Sequence, residues 1–170
     1  KMVYPIYGIT AFLLLLTFIP GLGVKAGDTT RWLNLGFVTF QPSECAKIAL
    51  VMFMAYALSK KKDQIREFII GFMPVMTLTG ILIALVLSGK DLGNATVMAV
   101  TVLFMFFVAG TRLIYLVSAI LLSLPVLYML IISVDYRRRR ILSFLNPWEY
   151  QNETGFQIIQ SYVAFHAGGL

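Results

Sequence analysis

Charge is scarce in this sequence: 13% of its 170 residues are Asp, Glu, Lys or Arg, against about 25% in soluble domains. A single cysteine, Cys45, excludes an intrachain disulfide, says nothing of redox compartment, and reads as a small packed hydrophobe. The one histidine, His166, has no second histidine or cysteine at ligand spacing, which argues against a protein-only metal site there. Walker, GxGxxG, HExxH and Ser–His patterns are all absent, so nucleotide hydrolysis and covalent catalysis find no support. No small-residue cleavage site follows the first apolar run, and no internal repeat or low-complexity tract interrupts the chain.

Hydrocarbon is what the sequence has in excess. It is 59% hydrophobic with a mean hydropathy of +0.83, the composition of an integral membrane protein. The net charge of +6 comes from basic residues that flank apolar runs. There, anionic lipid rather than nucleic acid is the expected partner. A span needs about 20 apolar residues, and Met2–Leu22, Phe68–Ser88, Leu92–Gly110 and Leu113–Val134 supply them. Cys45–Leu58 reaches that length only if extended back to Phe37, which draws Glu44 and Lys47 into the membrane end.

The sequence therefore predicts an all-α integral membrane fold forming one transmembrane domain. Its spans lie at about 2–22, 37–58, 68–88, 92–110 and 113–134, with an external loop over 135–161 and a further helix or re-entrant segment beginning over 157–170. Pro20-Gly21 closes the first span, whereas Pro74 and Pro125 fall inside the third and fifth, where neighbours can satisfy the freed carbonyls. Val24–Leu35 reads as a loop with an amphipathic turn around Trp32. Lys1 opens directly onto a span and Phe165–Leu170 ends without a polar tail, so the chain reads as a fragment of a longer protein.

The basic residues do not settle orientation at once. Lys1, the Lys60–Arg66 loop and Arg112 share one face, while Lys25, Arg31, Lys90 and Arg137–Arg140 share the other. One basic cluster must sit outside, against the positive-inside bias. Arg137–Arg140 then either does work there or anchors anionic headgroups. Polar residues within spans are costly and point to function. Glu44 and Lys47, three apart, either pair to order a helix or form the charged wall of a cavity. Asp91, at the junction of the third and fourth spans, reads as a helix N-cap for Leu92 onward. Arg31 and Trp32 suit an interfacial anchor, and Gln157 and Gln160 suit interhelical hydrogen bonds. Met98–Phe107 are packing or lipid-facing residues.

Several short motifs recur in a telling order. Arg31-Trp32-Leu33 is followed by Gln41-Pro42-Ser43-Glu44 with Lys47, then Asp91-Leu92-Gly93. Asn146-Pro147-Trp148, Gly155-Phe156-Gln157-Ile158-Ile159-Gln160-Ser161 and Gly168-Gly169 come after. From Val24 to Leu170 this set resembles the SEDS family, the FtsW, RodA and SpoVE group of bacterial cell-wall polymerases. Phe144 with Asn146–Glu149 leans to the division-type FtsW branch. The resemblance implies a central portion of a roughly ten-span protein in the bacterial cytoplasmic (inner) membrane. It implies a peptidoglycan glycosyltransferase that polymerises lipid II during cell division or cell-shape maintenance. Implied partners are a class B penicillin-binding transpeptidase and other divisome or elongation-complex membrane proteins. It places Lys60–Arg66 inside and 135–161 outside, where arginines can meet a pyrophosphate bidentately.

The implied substrate-binding residues are Arg31, Glu44, Lys47, Asp91, Arg137, Arg138, Arg139, Arg140, Gln157, Gln160 and Ser161. A divalent cation, Mg or Mn, is implied at the pyrophosphate. One departure stands out: after Glu149, where the family carries an Asp-Pro pair, this chain has Tyr150-Gln151. Glu149 and Glu153 are the nearest carboxylates and become the candidate general bases. A lipid II flippase and a non-catalytic scaffold for the transpeptidase remain rival readings. An ion or solute carrier would want its polar residues deeper in the spans.

Overall fold

The computed structural model describes residues 2–19, 23–26, 29–34, 39–151 and 155–168, and within these not the side chains of 24–26, 29–31, 136 and 140. The chain divides into two compact units, 1–116 and 117–170.

In the first unit, helix α1 (Val3–Leu16) leads to strands β1 (Gly23–Ala26), β2 (Thr29–Asn34) and β3 (Thr39–Phe40). Helix α2 (Pro42–Lys60) follows, then a π-helical turn (Phe68–Phe72) running into α3 (Met73–Ser88), α4 (Leu92–Val108) and the start of α5 (Leu113–Ile132). The chain is predominantly helical, and two helical stretches, Phe68–Ser88 and Leu113–Ile132, are long and apolar enough to cross a membrane. α1 and α4 are equally apolar but shorter.

The structure departs from the sequence expectation in three places here. In place of the loop expected over 24–35, the described residues form strands of a small antiparallel sheet of order β1-β2-β3, with Val24 opposite Trp32 and Leu33 opposite Phe40. Its residues are rich in the β-branched and aromatic types (Val24, Thr29, Thr30, Trp32, Thr39, Phe40) that fit a pleated surface. The first helix ends at Leu16 rather than Leu22: Thr17, Phe18 and Ile19 bond back to the carbonyls of Leu14, Leu15 and Leu16, a tightened last turn. The second helix begins at Pro42 rather than Phe37, because proline is pre-set for a first helical turn and needs no donor there.

Helix faces meet along Leu50, Phe53, Met54, Val75, Leu82, Val86, Met98, Val102 and Phe106, all nearly inaccessible. In a bilayer such burial replaces lipid rather than water, so close packing and a few hydrogen bonds decide association. The Tyr7 hydroxyl donates to the Leu78 carbonyl at 2.6 Å, joining α1 to α3. One end of this unit is sealed by rings: Phe72 lies 4.8 Å from Phe106 and 5.4 Å from Tyr115 between centroids. Pro74 cannot donate to the Ile70 carbonyl one turn earlier; Lys61 Nζ donates to that carbonyl instead.

Two helix ends share one device. At the end of α3, Lys90 N–H donates to Leu87 O and Asp91 N–H to Val86 O; at the end of α4, Gly110 donates to Phe107 O and Thr111 to Phe106 O. Both are Schellman closures, which need a left-handed residue. Gly110 takes it at φ 79°, and Lys90 takes it at φ 61° despite its Cβ. That mild strain immediately precedes Asp91.

The second unit holds the rest of α5, with Pro125 inside it, then α6 (Asp135–Leu145) and α7 (Phe156–Gly168). Residues 135–145, expected as loop, are therefore helical. Between α6 and α7 the chain folds on itself: Tyr150 N–H donates to Pro147 O and Gly155 N–H to Tyr150 O. A Cβ at Gly155 would collide with both of those carbonyls, so only glycine fits.

Candidate functional site

Two helices of the first unit begin side by side, and their first turns carry the polar residues. α2 starts Gln41-Pro42-Ser43-Glu44 and α4 starts Asp91-Leu92-Gly93-Asn94. Asp91 caps α4 by accepting the Asn94 backbone N–H on Oδ1 at 3.3 Å. Its Oδ2 accepts Asn94 Nδ2 at 2.9 Å, Gln41 Nε2 at 3.2 Å and Ser43 Oγ at 3.2 Å. Ser43 Oγ in turn accepts Gln41 Nε2 at 2.8 Å and Asn94 Nδ2 at 3.2 Å. At 4% exposure, Asp91 can remain where it is because these donors, and the positive ends of two helix dipoles, replace water.

From this buried knot the network runs outward. Asn94 Nδ2 reaches Glu44 Oε1 at 3.4 Å, and Lys47 Nζ sits 3.0 and 2.9 Å from the two Glu44 oxygens. Glu44 is exposed and Lys47 half-buried. Asp91 is the N-cap that its position suggested, and through Asn94 it is linked to Glu44 and Lys47. Gln41, Ser43 and Asn94 were not among the expected site residues. The signal that could have found them is the density of short polar side chains in two helix first turns. A recess beside Asp91, lined by Leu14, Thr17, Ser43, Leu85, Val86 and Gly89, has only water-sized room. A sugar or phosphate would have to meet this cluster at its Glu44–Lys47 side.

The arginine run behaves differently. On α6, successive residues turn by about 100°, so Arg137, Arg138 and Arg139 leave the helix on different sides. Arg137 Nη1 donates to the Leu130 carbonyl at 2.9 Å, closing the end of α5. Arg138 and Arg139 are exposed; the side chains of Arg140 and of Arg31, on β2, lie outside the described set. Glu149 is exposed in the turn after α6 and accepts Asn146 Nδ2 at 3.0 Å. Glu153 lies outside the described residues. Gln157, Gln160 and Ser161 fall three and four apart on α7, on one face, and the Ser161 hydroxyl is turned back onto the Ile158 carbonyl. Among the described residues no three His, Cys, Asp or Glu side chains gather as for a metal, and Asp91 and Glu44 already spend their oxygens on hydrogen bonds. The described residues do not build a protein-only site for Mg or Mn.

The polar cluster, the arginine-bearing α6 and the turn into α7 follow one another in the order of the motifs noted above. A family model described as a cell cycle protein, that of FtsW, RodA and SpoVE, matches residues 1–170. The chain belongs to this family. It is 50% identical over 159 residues to a "Probable peptidoglycan glycosyltransferase FtsW" of Geobacter sulfurreducens, covering 94% of this chain and 43% of that one. With the protein of the same name from Geobacter metallireducens it shares 52% over 158 residues, 93% of this chain and 42% of the other. Among solved structures it is similar to a chain of a peptidoglycan synthase complex that coordinates polymerization and crosslinking, with TM-score 0.69 and 30% identity over 96% of this chain and 48% of that one. The chain thus spans less than half the length of the FtsW relatives it matches. Family and apolar helices together make it a membrane-associated protein.

Proposed function

We propose that this chain is part of a multi-pass inner-membrane peptidoglycan glycosyltransferase that polymerises lipid II during division or cell-shape maintenance. The observation that carries this reading is the match of the FtsW/RodA/SpoVE family along the whole chain, at 50% identity to a relative named for that activity. On the five-span reading, the Glu44–Lys47–Asp91 cluster and the loop expected over 135–161 are external and Lys60–Arg66 is cytoplasmic. Glycosyl transfer needs a base for the attacking hydroxyl and cations for the departing diphosphate. Glu149, with Glu153 second, is the candidate for the first role and the exposed arginines of α6 for the other; Lys47, in the first unit, is a separate candidate for binding the glycolipid. Arg31, Gln157, Gln160 and Ser161 remain candidates for contacts with the glycolipid. A divalent cation, Mg or Mn, would arrive on the substrate's own phosphates. The partner is a class B penicillin-binding transpeptidase, and the likeness to a synthase complex supports it.

The test is the full-length protein with that partner and labelled lipid II, read as glycan on a gel. A ladder of products supports the reading. Lipid II crossing proteoliposome membranes without polymer would replace it with a flippase. Stimulated crosslinking alone would make this a scaffold, a reading favoured by Tyr150 standing where the family carries aspartate. The topology is tested by impermeant labelling in a Cys45→Ser background: Gln151→Cys should react from outside and Lys61→Cys should not.

A further inference from the structure

The Glu44–Lys47 pair by itself is a weak device. Both side chains reach solvent, and an exposed i,i+3 pair gains little and holds no single geometry. What distinguishes this pair is the amide one helix away. Asn94 has two amide N–H groups and three acceptors in range: Asp91 Oδ2 at 2.9 Å, Ser43 Oγ at 3.2 Å and Glu44 Oε1 at 3.4 Å. One proton is committed to Asp91, and the other is shared between the serine and the glutamate. The Asn94 backbone N–H is held by the same aspartate, so the side chain is fixed from both ends. Asp91, buried and surrounded by donors, is the anchor of this cluster.

We propose that Asn94 is a positioning residue: it ties the Glu44–Lys47 pair to the buried Asp91 anchor, so that the Lys47 ammonium is presented in one place to the diphosphate of a polyprenyl-linked saccharide. This rests on the glycolipid reading given above. Anchoring lowers the ordering cost of binding, so its loss falls on affinity. It leaves turnover alone, because Asn94 acts through Lys47 on binding and its own contacts are with Asp91, Ser43 and Glu44.

The experiment uses the full-length protein in phosphatidylcholine nanodiscs, with fluorescent lipid II as the probe for binding and polymerisation measured separately with the transpeptidase present. Asn94→Ala should weaken lipid II binding and raise KM about 10-fold, with kcat changed less than about 2-fold. In a Lys47→Met background the same substitution should add less than about 2-fold, because coupled residues are non-additive. Asn94→Asp, which keeps the shape but sets a carboxylate against Asp91 and Glu44, should bind at least as poorly as the alanine variant. Unchanged binding in Asn94→Ala, or full additivity with Lys47→Met, would overturn the proposal, and a fall in thermal stability with unchanged affinity would do the same. Wild-type protein that binds lipid II without forming polymer would sink the glycosyltransferase reading and leave the positioning role standing on the binding data.

Discussion

Two polar regions of this chain invert what their sequences suggest. In the first unit, Ser43 and Asp91 stand 48 residues apart and meet at 3.2 Å. In the second, four arginines are adjacent in sequence and helix geometry sends the first three to different sides. A cluster on paper became a fan, and scattered residues became a cluster. The difference teaches that spacing in a polar run reports a shared site only once the local period is known. In extended or looped chain neighbouring arginines could close on one anion together; in α6 Arg137, Arg138 and Arg139 start from different sides of the helix. Arg137 shows the consequence, since its guanidinium caps α5 through Leu130 O.

The largest effect expected from breaking the comparison lies in the second region. If the turn after α6 supplies the base, Glu149→Gln should lower polymerisation about 10²–10⁴-fold, and adding Tyr150→Asp should restore much of it. Steady-state rates on lipid II decide this, and activity that survives loss of both Glu149 and Glu153 would move the base to Asp91 or Glu44, or make the chain a scaffold. In the first region the expected damage is structural. Asp91→Leu strands the buried donors of Gln41, Ser43 and Asn94, a loss of about 3 kcal/mol, to be read from thermal unfolding in detergent. A variant as stable as wild type would mean that the knot does not hold α2 to α4.

Gly155→Ala should cost about 1–3 kcal/mol, because its Cβ meets the Pro147 and Tyr150 carbonyls. Faster proteolysis between α6 and α7 would report it, whereas an unaltered cleavage rate would show that the turn yields easily. The mildest change is Lys90→Gly. It relieves a left-handed lysine at φ 61° and should shift stability by no more than about 1 kcal/mol, in the favourable direction if backbone strain outweighs whatever the lysine side chain contributes. Midpoints of unfolding for Lys90→Gly and Lys90→Ala, side by side, separate backbone from side chain.

Much of this protein was legible without coordinates. The apolar runs mark helices, because unpaired backbone in lipid is prohibitive, and two of them, Phe68–Ser88 and Leu113–Ile132, are long enough to cross a membrane; the ordered motifs carry the family. Asp91 could be read as an N-cap because a short acidic side chain before an apolar run matches the free N–H groups of a first turn. The sheet of β1, β2 and β3 was not legible: its strands are short runs, and the pairing of Leu33 with Phe40 depends on where α1 and α2 put the chain ends. The hydrogen bonds from Gln41, Ser43 and Asn94 to Asp91 were not legible either. Local propensity fixes where a helix begins, but which two helix beginnings stand together is decided by packing of Leu50, Phe53, Val86, Met98 and their neighbours. That packing alone brings two helix N-termini within reach of one carboxylate.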